Sequence, residues 1–360
     1  MSHVVAIVGA GTMGSGIAIS CLAAGLPVRL IDTTTTALDG ARAKIAAHFQ
    51  RQVDKARMSV EDAARYQAGL TLSDQISAAS AATILIEAVF EDLAVKRKLM
   101  RAVEPLLADD CVIATNTSCL RVADIATALK RPERLLGLHY FSPAEINLVV
   151  ELVRSEATAA RAQVVAADLL AVTGKEVLNC RDSNGFAINR FFCPYCNEAV
   201  RCVEDGLATT GQLDAVARDV FGLALGPFAV MNLTHPRIML HAERSLAHFG
   251  PFYRPAAQLE AVGEAGELWE IETEPVPLSA AAAAIVTDRL KGAVLLAASE
   301  AVAEQVVDAD DLDRGAQLAL RFGIPPGALR RNLGKAEAER LIAFLRQRHD
   351  ISAVSYTHLR

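Results

Sequence analysis

The first fifteen residues restrict the fold of this chain more than any other stretch. The apolar run Val4-Val5-Ala6-Ile7-Val8 leads straight into Gly9-Ala10-Gly11-Thr12-Met13-Gly14 and then into an amphipathic helical pattern. Glycine at these three places has separate physical uses. Gly9 permits a tight turn, Gly11 lets backbone approach a pyrophosphate, and Gly14 lets helix and strand pack closely, while the helix N-terminus offers unpaired N–H groups to the anion. The next β-branched run, Val28 to Ile31, ends in Asp32, 18 residues after Gly14. A carboxylate there accepts hydrogen bonds from ribose hydroxyls and repels a 2′-phosphate. Thr33 to Thr36 follow without an arginine, which favours NAD over NADP.

Up to about Cys180, short runs alternate with helix-length segments. The runs Ile84 to Ala88, Val112 to Thr115, Leu135 to His139, Leu148 to Val153 and Glu176 to Leu178 read as further strands. Strands separated by helices mean βαβ units, so the first 182 residues are expected to form a Rossmann-like, doubly wound, largely parallel sheet. After Asp182-Ser183-Asn184-Gly185 strand signals fade, and the rest reads as an all-α C-terminal region. That region looks doubled. Glu198-Ala199-Val200, Leu213-Asp214 and Phe221-Gly222 find counterparts in Glu300-Ala301-Val302, Leu312-Asp313 and Phe322-Gly323, with Glu-to-Phe intervals of 23 and 22 residues. The expected units are residues 1–182, a first helical copy at 183–275, a second at 276–350, and a tail at 351–360. Pro251 to Pro277 would link the copies. Ser355 to Arg360 continue no pattern and read as a cloning or sequencing scar.

Charge and hydropathy exclude several classes of function. Thirty-six Lys+Arg against 42 Asp+Glu give −6, so no overall basic field exists for nucleic acid or an anionic membrane. No apolar run approaches the ~20 residues of a spanning helix. The start lacks a basic n-region and a cleavage pattern, which points to a cytoplasmic protein. Seven cysteines, an odd number without framework spacing, fit reduced buried thiols. Cys193-Pro194-Tyr195-Cys196 falls inside a helical pattern beginning near Gly185, the wrong place for a redox dithiol. His235, His241 and His248 lack a compact ligand set, so no metal is expected.

An anionic ligand would therefore need a local basic patch. Between Arg42 and Arg57 lie five Lys/Arg and one Asp. Lys44, His48, Arg51 and Lys55 share one helical face beside an apolar face of Ile45, Phe49 and Val53. Such a stripe is either a solvated surface or a dock for a polyphosphate carrier such as coenzyme A.

His139 ends a strand pattern, at the edge where open α/β sheets bind ligands, and an imidazole ordinarily titrates near working pH. Alone it would more often be structural. Glu151, 12 residues on, interrupts the apolar strand Leu148 to Val153 and needs a partner if buried. If the loop between them folds back, the carboxylate can hold one imidazole nitrogen and leave the other as proton acceptor.

With these motifs in order, the chain resembles the L-3-hydroxyacyl-CoA dehydrogenases of fatty-acid β-oxidation. The resemblance covers nearly the whole chain. It rests on Gly9 to Gly14, Asp32, Ile86 to Asp92, Ala114 to Ser118, Gly137 to Pro143, Glu151, and Asp182 to Arg190. It implies an NAD-dependent, reversible oxidation of an acyl-CoA thioester, with His139 as general base and Glu151 as its partner. It also implies that Ser118 and Asn189 bond the reacting oxygen, and that Glu91, Lys96 and Asn116 lie by the cofactor with Thr12 and Met13. Lys55 would contact coenzyme A. Ser142 stands where single-function members usually carry Asn, whereas the dehydrogenase part of multifunctional subunits can show Ser. Val230 to His235 departs from the family pattern beside the expected acyl pocket. No hydratase domain precedes the first strand. The resemblance leaves a monomer or a homodimer open. Two rival readings stand beside it: a dehydrogenase of a free small hydroxy acid, and a non-catalytic dinucleotide-binding protein.

Overall fold

The computed structural model describes residues 3–351, and the chain divides into two compact units, 1–182 and 183–360. The segment 355–360 lies outside the described residues.

The first unit runs β1 (Val5–Val8), α1 (Thr12–Ala23), β2 (Val28–Ile31), α2 (Thr35–Asp54), α3 (Val60–Ala68), β3 (Leu70–Ser73), β4 (Ile84–Glu87), α4 (Leu93–Val103), β5 (Val112–Thr115), α5 (Val122–Ala126), β6 (Leu135–Tyr140), β7 (Val149–Arg154), α6 (Ala160–Val172) and β8 (Glu176–Arg181). The eight strands form one sheet in the order β3-β2-β1-β4-β5-β6-β7-β8. All neighbours are parallel except β6 and β7. Every residue of β1, β4, β5 and β6 is buried, as expected for strands covered by helices on both faces, and this explains their unbroken apolar runs. The strand order turns at β1 and β4, which opens a crevice at their C-terminal ends. β3 is an addition to the expected strands. It is a half-exposed edge of four residues, Leu-Thr-Leu-Ser, one glycine after α3, and it carries no buried stripe to reveal it.

The second unit is helical: α7 (Ile188–Glu204), α8 (Thr210–Phe221), α9 (Pro227–Thr234), α10 (Pro236–Leu246), α11 (Ala257–Ala265), α12 (Ala280–Ala303), α13 (Ala309–Leu320), α14 (Pro326–Leu333) and α15 (Lys335–Arg348). The two stretches expected to be copies contain like elements. α8 and α13 each have 12 residues, and α9 and α14 each have eight and begin with proline. Asp214 accepts from Phe228 N at 2.8 Å, and Asp313 accepts from Gly327 N at 2.6 Å, so each aspartate of the pair holds the second residue of the following short helix. The copies meet at the two Phe-Gly corners, where Ile324 N donates to Phe221 O at 2.9 Å and the Phe221 and Phe322 rings lie 5.5 Å apart. The stretch between the copies is more than a linker. It contains α11, whose Gly263 has no room for a Cβ against Leu240 of α10, and Trp269, whose backbone bonds Asn232 on both sides.

Two buried carboxylates give this unit opposite responses to pH. Glu198 of α7 is bound by Arg289 of α12 at 2.6 Å and by His349 at 3.0 Å. Burial works to raise its carboxyl, yet these partners hold it down at about 2. Its contribution is present above the unfolded value of 4.5 and is lost as pH falls toward 2. Glu243 of α10 accepts from Asn197 Nδ2 at 3.0 Å, and burial pushes it up to about 8. Its contribution is full below 4.5 and is lost as pH rises through 8. Glu243→Gln, which keeps the neutral shape at every pH, is expected to raise the thermal midpoint at pH 8 by a few degrees and to leave it nearly unchanged at pH 4.5. Equal shifts at both pH values would contradict this.

Candidate active site

The glycine turn sits at the crevice edge of β1. Gly9 has φ +108° and a Cβ there would lie 2.4 Å from Ala88 O, while one on Gly14 would lie 1.8 Å from Gly9 O. Around Gly11 nothing lies within 4 Å of the missing Cβ, so its backbone faces open space. α1 begins without a side-chain cap and without an acidic residue in its first turn, leaving its amides for an anion. Thr12 is exposed and Met13 half-buried beside them. Asp32 Oδ2 accepts from Ala10 N at 2.8 Å, and its Oδ1 accepts from Thr34 N at 3.0 Å, which fixes a carboxylate against the turn. The bare amide cradle and the placed carboxylate fit the pyrophosphate and ribose of NAD.

The same sheet edge carries the histidine. β7 returns antiparallel to β6, so His139 and Glu151 are Cα partners and their side chains share a face. His139 Nδ1 lies 2.5 Å from Glu151 Oε2, with the residues 6% and 0% exposed. With Nδ1–H donating to the carboxylate, Nε2 carries the lone pair. The Phe141 ring stands 4.5 Å from the imidazole, covering it with apolar surface.

The turn joining these two strands is anchored by a residue that sequence reasoning passed over. Lys175, ahead of β8 and 8% exposed, donates to Ala144 O at 2.6 Å and to Asn147 O at 2.8 Å. Burial lowers its pKa. Ser20 of α1 donates to the same Ala144 carbonyl at 3.2 Å, so the cofactor helix and the turn share an anchor. Nothing in the sequence marks Lys175, since β8 mixes polar and apolar residues and backbone carbonyls leave no pattern.

A second cluster lies at the C-terminal ends of β4 and β5. Lys96 Nζ lies 2.7 Å from Glu87 Oε1 and 3.1 Å from Glu91 Oε2. Thr115 donates to Glu87 at 2.6 Å, and Glu91 accepts from the Thr117 hydroxyl and from Ser118 N at 2.9 Å. Burial works to raise Glu91, but Lys96 and these donors hold it below the usual carboxylate range. Lys96 is 1% exposed and engaged by both carboxylates, so it supports Glu91 from behind. Asn116 Oδ1 accepts from Tyr140 N at 2.9 Å, tying the Ser118 turn to the residue after His139. Ser118 is half-buried, Ser142 is exposed in the β6–β7 turn, and Asn189 is half-buried at the start of α7 in the second unit.

The basic stripe is only partly as expected. α2 does bury Ile45 and Phe49, but Lys44 donates to Thr12 O at 3.1 Å and lies 3.9 Å from Glu145, so it braces the glycine turn. Lys55 is the C-cap of α2 and, like Arg51, is exposed. All seven cysteines are free and buried, and no group of three or more His, Cys, Asp or Glu able to hold a metal occurs among the described residues.

Known proteins are similar to this chain along most of its length. The family model described as 3-hydroxyacyl-CoA dehydrogenase, NAD binding domain, matches residues 4–183, and the model of the C-terminal domain of the same family matches 185–276. A 3-hydroxybutyryl-CoA dehydrogenase of Mycobacterium tuberculosis is 34% identical over 271 residues, 73% of this chain and 94% of that protein. The crystal structure of (S)-3-hydroxybutyryl-CoA dehydrogenase from Ralstonia eutropha matches with TM-score 0.72 at 29% identity, over 78% of this chain and 100% of that one. A 3-hydroxybutyryl-CoA dehydrogenase structure from Escherichia coli shares the fold over 97% of this chain and 95% of its own, with TM-score 0.87 at 24% identity.

Proposed function

Because the chain belongs to the 3-hydroxyacyl-CoA dehydrogenase family and is an NAD-dependent oxidoreductase, we propose that it oxidises an L-3-hydroxyacyl-CoA to the 3-ketoacyl-CoA, reversibly, with His139 as the general base. The observation that carries this reading is the buried 2.5 Å contact between His139 and Glu151 at the sheet edge that also holds the glycine turn. Bound NAD supplies the acceptor for the hydride from C3. His139 Nε2 takes the proton of the 3-hydroxyl as the carbonyl forms, and Glu151 stabilises the imidazolium through Nδ1–H. In reverse, the imidazolium returns that proton to the alkoxide oxygen. The Ser118 hydroxyl bonds the reacting oxygen and orients it. Glu91, held ionised by Lys96, accepts from ribose hydroxyls.

Arg51 and Lys55 would hold the phosphates of coenzyme A. With Lys44 engaged at the glycine turn, the discriminating variant is Arg51→Glu/Lys55→Glu. It is expected to raise KM for a CoA thioester by about tenfold or more with kcat little changed, on the order of 1 kcal/mol for each exposed charge lost. An unchanged KM would favour a free hydroxy acid as substrate. The reading takes the chain as a cytoplasmic monomer or homodimer without a nucleic-acid or membrane partner; no helix among the described residues is long and apolar enough to cross a membrane.

A further inference from the structure

β7 and β8 end side by side in Arg154 and Arg181, which are Cα partners in parallel register. Both are exposed, and among the described residues neither pairs with a carboxylate. Like charges at facing positions of neighbouring strands repel, and a protein with a surplus of acidic residues has ample means to neutralise them. A third guanidinium joins them. Arg121, just before α5, has Nε 4.0 Å from Asp182 Oδ2, too long for a hydrogen bond. The Asp182 oxygens are engaged elsewhere, each accepting at 2.8 Å from Val122 N and Ala123 N. Asp182 therefore braces the α5 turn while its charge faces Arg121, and Arg154 and Arg181 are the guanidinium groups left without a carboxylate partner among the described residues.

Arg121, Arg154 and Arg181 line one pocket of about 630 Å³ together with Asp182, Glu156 and Ser155. The pocket is separate from the dyad. Glu151 pairs with His139, whereas Arg154 lies three residues farther along β7, roughly 10 Å at the usual strand rise and toward the end where β6 begins. No part of the proposed reaction uses these residues.

We propose that this pocket is a second, anion-binding site for a small polyanion, a phosphate ester or a polycarboxylate. Three planar forks from three chain segments match the oxygens of phosphate or carboxylate bidentately, which a lone lysine does not do. The volume falls within the ~300–1,000 Å³ range of small-molecule sites and exceeds what a single phosphate ion fills. The inference does not depend on the dehydrogenase reading.

The test is calorimetric titration of the full chain, saturated with NADH to occupy the glycine turn, with pyrophosphate and separately with citrate at constant ionic strength. At least one probe is expected to bind one-to-one. Affinity should fall by about tenfold or more in Arg154→Gln/Arg181→Gln and in Arg121→Gln, and persist in Arg51→Gln. The probe that binds more tightly identifies phosphate or carboxylate as the preferred chemistry. Arg154→Lys/Arg181→Lys, which keeps charge and loses the forks, should also bind more weakly, and it serves if the glutamine variant fails to fold. Binding of neither probe to the wild type, undiminished binding in the Arg154 and Arg181 variants, or equal loss in Arg51→Gln would each overturn the proposal.

Discussion

His139→Gln is expected to lower kcat by about 10³-fold while leaving NADH affinity within a factor of two or so, because a positioned base contributes ~10²–10⁴ and the cofactor cradle lies on other elements. Glutamine retains a polar tip but cannot take a proton. Glu151→Gln should fall in the same range for a different reason. The amide preserves the shape of the pair but removes the charge that stabilises the imidazolium formed in the reaction, in a setting where Glu151 is 0% exposed. The double variant should then be little worse than either single, since the two residues act as a unit. Steady-state turnover and fluorescence titration of NADH provide both readouts. A kcat within tenfold of wild type in His139→Gln would remove His139 from the reaction.

Lys96→Met is expected to cost about 3–5 kcal/mol in the unfolding of the first unit, the usual consequence of leaving buried charge without its partner. Glu87 is 0% exposed and Lys96 1%, so solvent cannot substitute for the lost ammonium. Burial works to lower the Lys96 pKa, but Glu87 and Glu91 together raise it, and the ammonium persists at every pH the enzyme meets. Adding Glu87→Gln should recover a good part of the loss, because the amide removes the stranded charge while its oxygen still accepts from Val89 N and its NH2 can donate to the Thr115 hydroxyl. Urea unfolding of the single and double variants measures this. A loss below 1 kcal/mol in Lys96→Met would mean that the cluster is open to water, and the role given to Glu91 would fall with it.

Legibility of the fold followed burial. β2 and β5 are the runs Val28 to Ile31 and Val112 to Thr115 read from sequence, since strands sheltered by neighbours on both sides show as apolar runs bounded by polar residues. β3 pairs on one side only and shows no such run. The dyad was readable because a histidine and a glutamate each break an apolar strand, and a short connection brings such strands together. The antiparallel register that makes them partners is a tertiary property of β6 and β7. The partners of Lys44 and Lys96 were not legible for a common reason: the spacing of a lysine on an amphipathic helix does not say which carboxylates and carbonyls it reaches. Lys44 turns to Thr12 O and Lys96 to Glu87, and both partners come from other elements. Lys175 escaped notice because what it binds is backbone carbonyl, which has no sequence signature.

The most direct test of the central claim is NADH oxidation with a panel of 3-ketoacyl-CoA esters, short, long, branched and aromatic, set beside the corresponding free 3-keto acids. The expected result is turnover of at least one thioester, far above its free acid and abolished by His139→Gln. Turnover of no thioester, or equal turnover of thioester and free acid, would contradict the account.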